Sequence, residues 1–165
     1  MRRKNEVMCN DQAVCVIDEQ LIDRLVAGLA SAPRGRFRIC LHRSTHEAVQ
    51  EMVIACRTGS YSRPHRHPAA ATSAAILRGR LRFFIFDDRG VITKSLVLGG
   101  GGNATRIVRL SEGVWHMAIA VSDVAVFHEV NTGPFRPESS NEWAPWSPLE
   151  DDSLAIREYL NRLTR

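Results

Sequence analysis

The chain has 165 residues, of which 44% are hydrophobic and 24% are charged, and its formal net charge is +4. These values are typical of a single globular domain that can bury a core of its own. No run of about 18 apolar residues is present, which excludes a membrane-spanning helix, and the scattered basic residues argue against nucleic-acid binding.

The N-terminal part of the chain consists of a polar segment and an amphipathic segment. Residues 1–14 are polar and lack periodicity, so we expect a flexible tail. Residues 17–31 carry apolar side chains at helical spacing, which predicts a helix that ends before Pro33 and Gly35. Its apolar positions are Leu21, Ile22, Leu25, Val26 and Leu29.

At Phe37 the pattern changes to short runs rich in Val, Ile, Phe and Leu that are separated by turn residues. Asp87-Asp88-Arg89-Gly90 is typical of a β-hairpin turn, and Ser122-Asp123 is a second, tighter turn. About eight such runs predict an all-β fold, either a barrel or a jelly roll. The predicted strands are residues 37–41, 49–56, 74–77, 81–86, 91–98, 107–110, 117–121 and 124–130.

Prolines and aromatic residues characterise the segment after the last predicted strand. The prolines exclude regular structure, and we expect this segment to run extended over the barrel, anchored by Phe135, Trp143 and Trp146. Residues 153–163 predict a short final helix. The chain therefore divides into a tail (1–14), a barrel domain with an N-terminal helix (15–150) and a C-terminal helix (151–165).

Two short segments carry histidines in patterns that suit a metal ion. In a strand, alternate side chains point to one face, so His65 and His67 would project together while Arg66 points away. His116 follows a turn at Gly113 and begins an apolar strand, where a third ligand would fit. Taken singly, the first two could be surface histidines and the third a buried rim histidine.

The two histidine segments resemble the two sequence motifs of the cupin superfamily. The residues at the expected spacing are Gly59, His65, His67 and Gly79 in the first motif, and Gly113 and His116 in the second. Ser111 stands where the second motif has a proline. The resemblance implies a cupin double-stranded β-helix, which is a jelly-roll barrel, and a metal site on His65, His67 and His116.

Residues 17–148 are further similar to the WbuC family of cupin-fold metalloproteins. This resemblance implies one divalent metal ion (zinc, iron, nickel or manganese), a homodimer, and a link to O-antigen or other polysaccharide biosynthesis. The similar segments include Val49-Gln50, Thr58-Gly59-Ser60-Tyr61, Leu77-Arg78-Gly79-Arg80-Leu81, Gly113-Val114-Trp115-His116 and Trp143-Ala144-Pro145-Trp146.

The chain departs from the first cupin motif at the metal-binding glutamate, because Thr72 occupies that position. Three neutral imidazoles remain, which either bind metal more weakly or form a degenerate site. We expect Thr72 to hydrogen-bond a metal-bound water. Arg63 and Arg78 flank the predicted barrel mouth, where they would bind an anionic substrate or remain solvated.

Glu129 is a candidate to replace the missing carboxylate. If Ser122-Asp123 is the turn of a two-residue hairpin, His116 lies opposite Glu129 and both side chains enter the barrel. Glu129 would then be a metal ligand, an orienter of a histidine or a general base. The alternative is an ion pair at the rim with Arg106 or Arg109.

These observations favour a metal-dependent enzyme that acts on a small polar, sugar-like molecule. The alternative is a non-catalytic cupin that binds or senses a small ligand with a degenerate metal site. The apolar outer face of the predicted hairpin indicates burial against a second sheet or in a homodimer. Cys40 and Cys56 lie in apolar runs without a C-x-x-C pair, and no secretory signal is recognisable, so we expect free thiols and a cytoplasmic protein.

Overall fold

The structure is a computed structural model that describes residues 2–4, 6–102 and 104–164. These residues form two α-helices, α1 (Glu19–Gly28) and α2 (Ser153–Thr164), and a single 3-10 turn (Leu29–Ser31). The strands are β1 (Arg2–Lys4), β2 (Val7–Cys9), β3 (Arg36–Cys40), β4 (Val49–Arg57), β5 (His65–Arg66), β6 (Thr72–Arg78), β7 (Leu81–Phe86), β8 (Ile92–Leu98), β9 (Ile107–Leu110), β10 (Trp115–Ala120), β11 (Val124–Thr132) and β12 (Glu142–Trp143).

The strands form two sheets that face each other across an apolar layer. The first sheet has the strand order β1-β2-β3-β4-β11-β6-β9, and the second has the order β12-β5-β10-β7-β8. Because side chains alternate along a strand, every second residue of each sheet enters this layer. Its buried members are Ile54, Cys56, Ala74, Leu81, Phe83, Leu98, Leu110, Ala120, Ala125 and Phe127. The all-β prediction is confirmed, and Cys40 and Cys56 are buried free thiols.

Helix α1 covers the outer face of the first sheet. The carboxylate of Asp18 caps the helix by accepting a hydrogen bond of 2.9 Å from the backbone N–H of Leu21. The apolar side of the helix then packs on outward-facing strand residues, so the predicted helical segment is confirmed. This cluster includes Leu21, Ile22, Leu25, Phe37, Ile39, Val53, Ala55 and Val126.

Helix α2 covers the outer face of the second sheet in the same manner. Tyr159 is its buried residue, and it packs on strands β7 and β10 in a cluster that includes Phe84, Phe86, Met117 and Ile119. The apolar outer faces that suggested a partner subunit are therefore covered by the chain's own helices. A homodimer stays a prediction. No helix in the described part of the chain is long and apolar enough to cross a membrane.

The hairpin predicted around Ser122-Asp123 is wrong, because β10 and β11 belong to different sheets. Strand β10 pairs with β5 and β7, whereas β11 pairs with β4 and β6. The turn instead connects the two sheets at a corner, where Thr58 donates to the carbonyl oxygens of Ser122 (2.7 Å) and Asp123 (3.0 Å). The hairpin at Asp87-Asp88-Arg89-Gly90 is present, since β7 and β8 pair in antiparallel fashion.

The N-terminal residues also differ from the expected flexible tail. Strand β2 pairs in parallel with β3, and Met8 is buried in the cluster under α1. A strand of three residues is too short to produce a recognisable period in the sequence. Met1 and Asn5, which belong to the same expected tail, lie outside the described residues.

We expect Gly79→Ala to destabilise the protein strongly. Gly79 lies between β6 and β7 with a φ of 75°, and a Cβ atom there would lie 2.2 Å from the carbonyl oxygen of Val124. Left-handed strain and displacement of this backbone should together lower the free energy of unfolding by about 3 kcal/mol. Urea unfolding measures the change.

Gly101→Ala is the matched control, because its backbone is not left-handed and a Cβ atom there would have no neighbour within 4 Å. Its free energy of unfolding should change by no more than about 0.5 kcal/mol. Equal stabilities of the two variants would contradict the account of Gly79.

Candidate metal centre

A row of side chains crosses the second sheet and carries two of the three predicted metal ligands. His65 on β5 is the register partner of His116 on β10, and His116 is in turn the partner of Ile85 on β7. Register partners point to the same side of a sheet, so both histidines face the layer between the sheets. His116 is 5% exposed there.

His67 joins this pair from the segment just after β5. Its backbone carbonyl oxygen accepts a hydrogen bond of 2.8 Å from the N–H of Gly113, which anchors it to the turn that precedes His116. The ring centroids lie 5.0 Å apart for His65 and His67, 4.5 Å for His65 and His116, and 5.3 Å for His67 and His116. One ligand nitrogen of each ring lies within 4.8 Å of the other two.

Each imidazole is oriented by a backbone carbonyl group. Nδ1 of His65 lies 2.8 Å from the oxygen of Arg63, that of His67 lies 3.1 Å from the oxygen of Ser140, and that of His116 lies 2.9 Å from the oxygen of Val114. A carbonyl oxygen accepts only, so each Nδ1 must carry the proton. Each Nε2 then keeps its lone pair, which is the tautomer that ligates a metal through Nε2.

The environment of the cluster favours neutral imidazoles. Burial lowers the pKa of His65 well below its usual value, and the neighbouring imidazoles of His116 and His67 add to this effect. Burial also lowers the pKa of His116, although its hydrogen bond to the Val114 carbonyl opposes the shift. Both rings are therefore neutral at pH 7, as metal binding requires.

Glu129 lies on the first sheet with its side chain toward the same interior. It has the same strand parity as the core residues Ala125 and Phe127, and its negative charge offsets a small part of the lowering that burial imposes on the pKa of His116. It therefore enters the interior even though the hairpin that suggested this does not exist. Among the described residues, the group of converging ligand atoms contains the three histidines and not Glu129.

A chain of hydrogen bonds connects Glu129 to Thr72. The Asn131 amide donates to Oε1 of Glu129 at 3.1 Å, and the Thr72 hydroxyl donates to Oδ1 of Asn131 at 2.6 Å. Thr72 is 2% exposed and is the register partner of Asn131. Asn131 was not predicted from the sequence, although its position two residues after Glu129 on a strand places both on one face.

The two arginines expected at the barrel mouth have other partners. Arg63 donates to Oγ of Ser147 at 3.0 Å and to the carbonyl oxygen of Ala144 at 2.9 Å, which ties the proline-rich segment to the strand of His65. Arg78 binds the carboxylates of Asp23 and Glu19 on α1. Arg78 therefore lies on the outer face of the first sheet, and its predicted position at the mouth is wrong.

Like Asn131, Trp143 was not predicted as a residue of the site. The sequence predicted only an anchoring role for it, but it lies near the histidines. Its ring centroid lies 5.4 Å from that of His65, and the residue is 44% exposed. The anchoring role belongs to Trp146, which packs 5.0 Å from Phe86. No local pattern distinguishes the two tryptophans, because the distinction depends on the pairing of β12 with β5.

Comparison with known proteins gives a partial family match and a clear structural likeness. Residues 17–98 match a family model described as "Domain of unknown function (DUF6016)". No curated protein matches the sequence. Protein SO0799 from Shewanella oneidensis is 17% identical with a TM-score of 0.58, and the match covers 73% of this chain and 82% of that chain. An oxalate oxidase in complex with the substrate analogue glycolate is 18% identical with a TM-score of 0.55, covering 82% and 68%.

At these identities the likeness shows the fold. Together with the two facing sheets and the two flanking helices, it shows that the chain has the all-β cupin fold predicted from its histidine motifs. The narrower resemblance to the WbuC family stays a prediction, since neither the family model nor these structures carry that name.

We expect the imidazoles of His65 and His116 in metal-free protein to take up protons only below the usual histidine pKa of about 6.5. Nitrogen-15 NMR of the imidazole rings as a function of pH measures this, with urea-unfolded protein as the reference. The unfolded chain binds these protons first, so the free energy of unfolding should fall as the pH falls through about 6.5. Titration of both rings at or above the unfolded value would contradict the assignment.

Proposed function

We propose that the protein binds one divalent metal ion on His65, His67 and His116 and uses it to act on a small polar molecule. The observation that carries this proposal is the shared tautomer of the three rings. Each Nδ1 is committed to a carbonyl oxygen, so three Nε2 lone pairs remain within a small volume. Packing alone does not require three histidines whose Nδ1 atoms all bind backbone carbonyl oxygens around one point.

The donor set suits zinc and other mid-row divalent ions such as iron, nickel and manganese, which accept imidazole nitrogen. Three protein ligands leave coordination positions free for a substrate, and a bound ion would polarise a carbonyl or hydroxyl oxygen of that substrate. Because Thr72 replaces the motif glutamate, all three ligands are neutral. The centre would therefore keep its full positive charge and favour oxygen-rich or anionic ligands.

Glu129 is the group that we assign to proton transfer. Its carboxylate is oriented by the amide of Asn131 and lies close enough to His116 to contribute to the pKa of that imidazole. A carboxylate in this position can take a proton from a substrate hydroxyl or return one, since it is partly buried but not itself among the converging ligands. Thr72 supports it indirectly by fixing Asn131.

A sugar-like substrate and a role in polysaccharide biosynthesis are the finer part of this proposal, and they rest on the resemblance to the WbuC family. A homodimer is proposed by analogy with other cupins, and a cytoplasmic location is proposed because Cys40 and Cys56 are free thiols. Arg78 is not among the proposed substrate contacts, because its guanidinium is bound to α1.

A second candidate is a cupin that binds or senses a small ligand without turnover. The presence of Thr72 in place of the motif glutamate favours this alternative, because the site lacks one anionic ligand. The two candidates differ in the fate of the bound molecule. Recovery of chemically unchanged ligand from metal-loaded protein favours the binding protein, and a new product favours the enzyme.

We expect protein purified without added metal to contain about one equivalent of a divalent transition metal. The double variant His65→Ala with His116→Ala should contain none, because one imidazole cannot hold the ion. Mass spectrometry with plasma ionisation measures the content. His46→Ala is the matched control, since His46 is exposed and outside the cluster. Metal-free native protein that stays metal-free after incubation with zinc, iron, nickel or manganese would refute the centre.

The variant Glu129→Gln tests whether Glu129 is a metal ligand. Glutamine keeps the shape and an oxygen that can accept from Asn131 but removes the charge. We expect metal affinity to fall by about tenfold or less, compared with a loss of more than about 100-fold for His116→Ala. Competition with a chromogenic chelator measures both affinities. A loss in Glu129→Gln as large as that in His116→Ala would make Glu129 a ligand instead.

A further inference from the structure

We propose that Trp143 provides a stacking surface beside the metal centre and that this surface selects a substrate with a pyranose ring. The inference rests on the proposed function, because it concerns the same site. It adds the class of substrate and the residue that recognises the ring.

The position of Trp143 follows from strand register. Trp143 on β12 is the register partner of His65 on β5, and His65 is the partner of His116 on β10. The three side chains therefore stand in one row on the inner side of the second sheet. The indole and the imidazole of His65 are separated by 5.4 Å between centroids at an angle of 55°.

The backbone that carries the indole is held on both sides, although Trp143 is 44% exposed. Its neighbour Glu142 forms two hydrogen bonds with Arg66, at 2.8 Å and 2.9 Å. On the other side, the N–H of Ala144 donates to the carbonyl oxygen of Pro64 at 2.9 Å, and Ala144 is 0% exposed. The chain thus fixes the backbone on both sides of an aromatic ring and leaves much of that ring in contact with solvent.

The first sheet carries polar side chains that complement this ring. Glu129, Asn131 and Thr72 form a hydrogen-bonded chain on its inner face, so a carboxylate, an amide and a hydroxyl are presented toward the interior. Glu129 and Asn131 are only partly buried. The site therefore combines a metal position, several groups that bind hydroxyls and one flat apolar surface at the edge.

A pyranose matches this combination of groups. Its hydroxyls lie around the edge of the ring and can bind a metal ion, an amide and a carboxylate. Its C–H bonds form an apolar face that packs on an aromatic ring. An open-chain polyol has the same hydroxyls but no rigid C–H face, and it loses more conformational entropy on binding. The stacking surface should therefore distinguish cyclic from open-chain sugars.

Zinc-loaded protein allows a direct test with the methyl α-pyranosides of glucose, mannose and galactose as probes. Sorbitol, mannitol and galactitol are the matched open-chain controls. Saturation-transfer NMR measures binding and identifies the protons in contact with the protein. We expect at least one pyranoside to bind about tenfold more tightly than its open-chain counterpart, with the strongest transfer at the C–H protons of one ring face.

Variants of Trp143 assign the effect to the indole. Trp143→Ala should weaken pyranoside binding about tenfold, whereas Trp143→Phe, which keeps an aromatic face, should weaken it no more than about threefold. Trp146→Phe is the control, because Trp146 packs against Phe86 away from the histidines. It should leave the affinity unchanged.

The outcomes separate this inference from the proposed function. If all variants of Trp143 retain zinc but no pyranoside binds, or if the open-chain polyols bind equally well, the inference is refuted while the metal centre stands. Equal pyranoside affinity of Trp143→Ala and the native protein refutes it as well. If native protein retains none of zinc, iron, nickel and manganese, the proposed metal centre itself fails, and this inference fails with it. If Trp143→Ala loses zinc and the other proteins retain it, Trp143 protects the metal-binding His65 from solvent. That result would overturn its role in ring recognition.

Discussion

Three hydrogen bonds from imidazole Nδ1 atoms to backbone carbonyl oxygens determine what the centre of this protein can do. The oxygens belong to Arg63, Ser140 and Val114. Because these oxygens cannot donate, they set the tautomer of each histidine, and because they belong to the backbone, they also set the direction of each ring. Burial keeps the rings of His65 and His116 neutral, so the rest of the site is arranged around three lone pairs.

The two sheets place different sets of side chains opposite each other. The second sheet presents the histidines and Trp143, whereas the first sheet presents the chain of Glu129, Asn131 and Thr72. Each set lies on a sheet whose outer face is covered by a helix, so both sets are part of a rigid scaffold. Where the first cupin motif has a metal-binding glutamate, this chain has Thr72, and the carboxylate that we propose for proton transfer, Glu129, lies on the neighbouring strand β11.

Much of the fold could be predicted from the sequence because strand periodicity is local, and the three histidines of the candidate metal centre could be predicted from their resemblance to the cupin motifs. The inward direction of Glu129 was predicted from a hairpin that does not exist, and it holds because Glu129 shares its strand parity with the core residues Ala125 and Phe127. That error arose because Ser122-Asp123 connects two sheets, and a short turn has no local feature that distinguishes a corner from a hairpin. Asn131 follows Glu129 by two residues on one strand, so a local signal for it existed. The position of Trp143 depends on the pairing of β12 with β5, which no single segment encodes. Arg78 was misplaced because the register of β6 against β11 shifts between Val126 and Phe127, and this bulge puts Arg78 beside the outward-facing Val126, within reach of α1.

The dependence of the histidines on late parts of the chain has a consequence for biosynthesis. Arg63 binds the segment at Ala144 and Ser147, His67 binds the carbonyl of Ser140, and β5 pairs with β12. Synthesis proceeds from the N-terminus, so His65 and His67 emerge from the ribosome before the residues that hold their segment in place. The centre therefore cannot be completed until residues 140–147 have been synthesised.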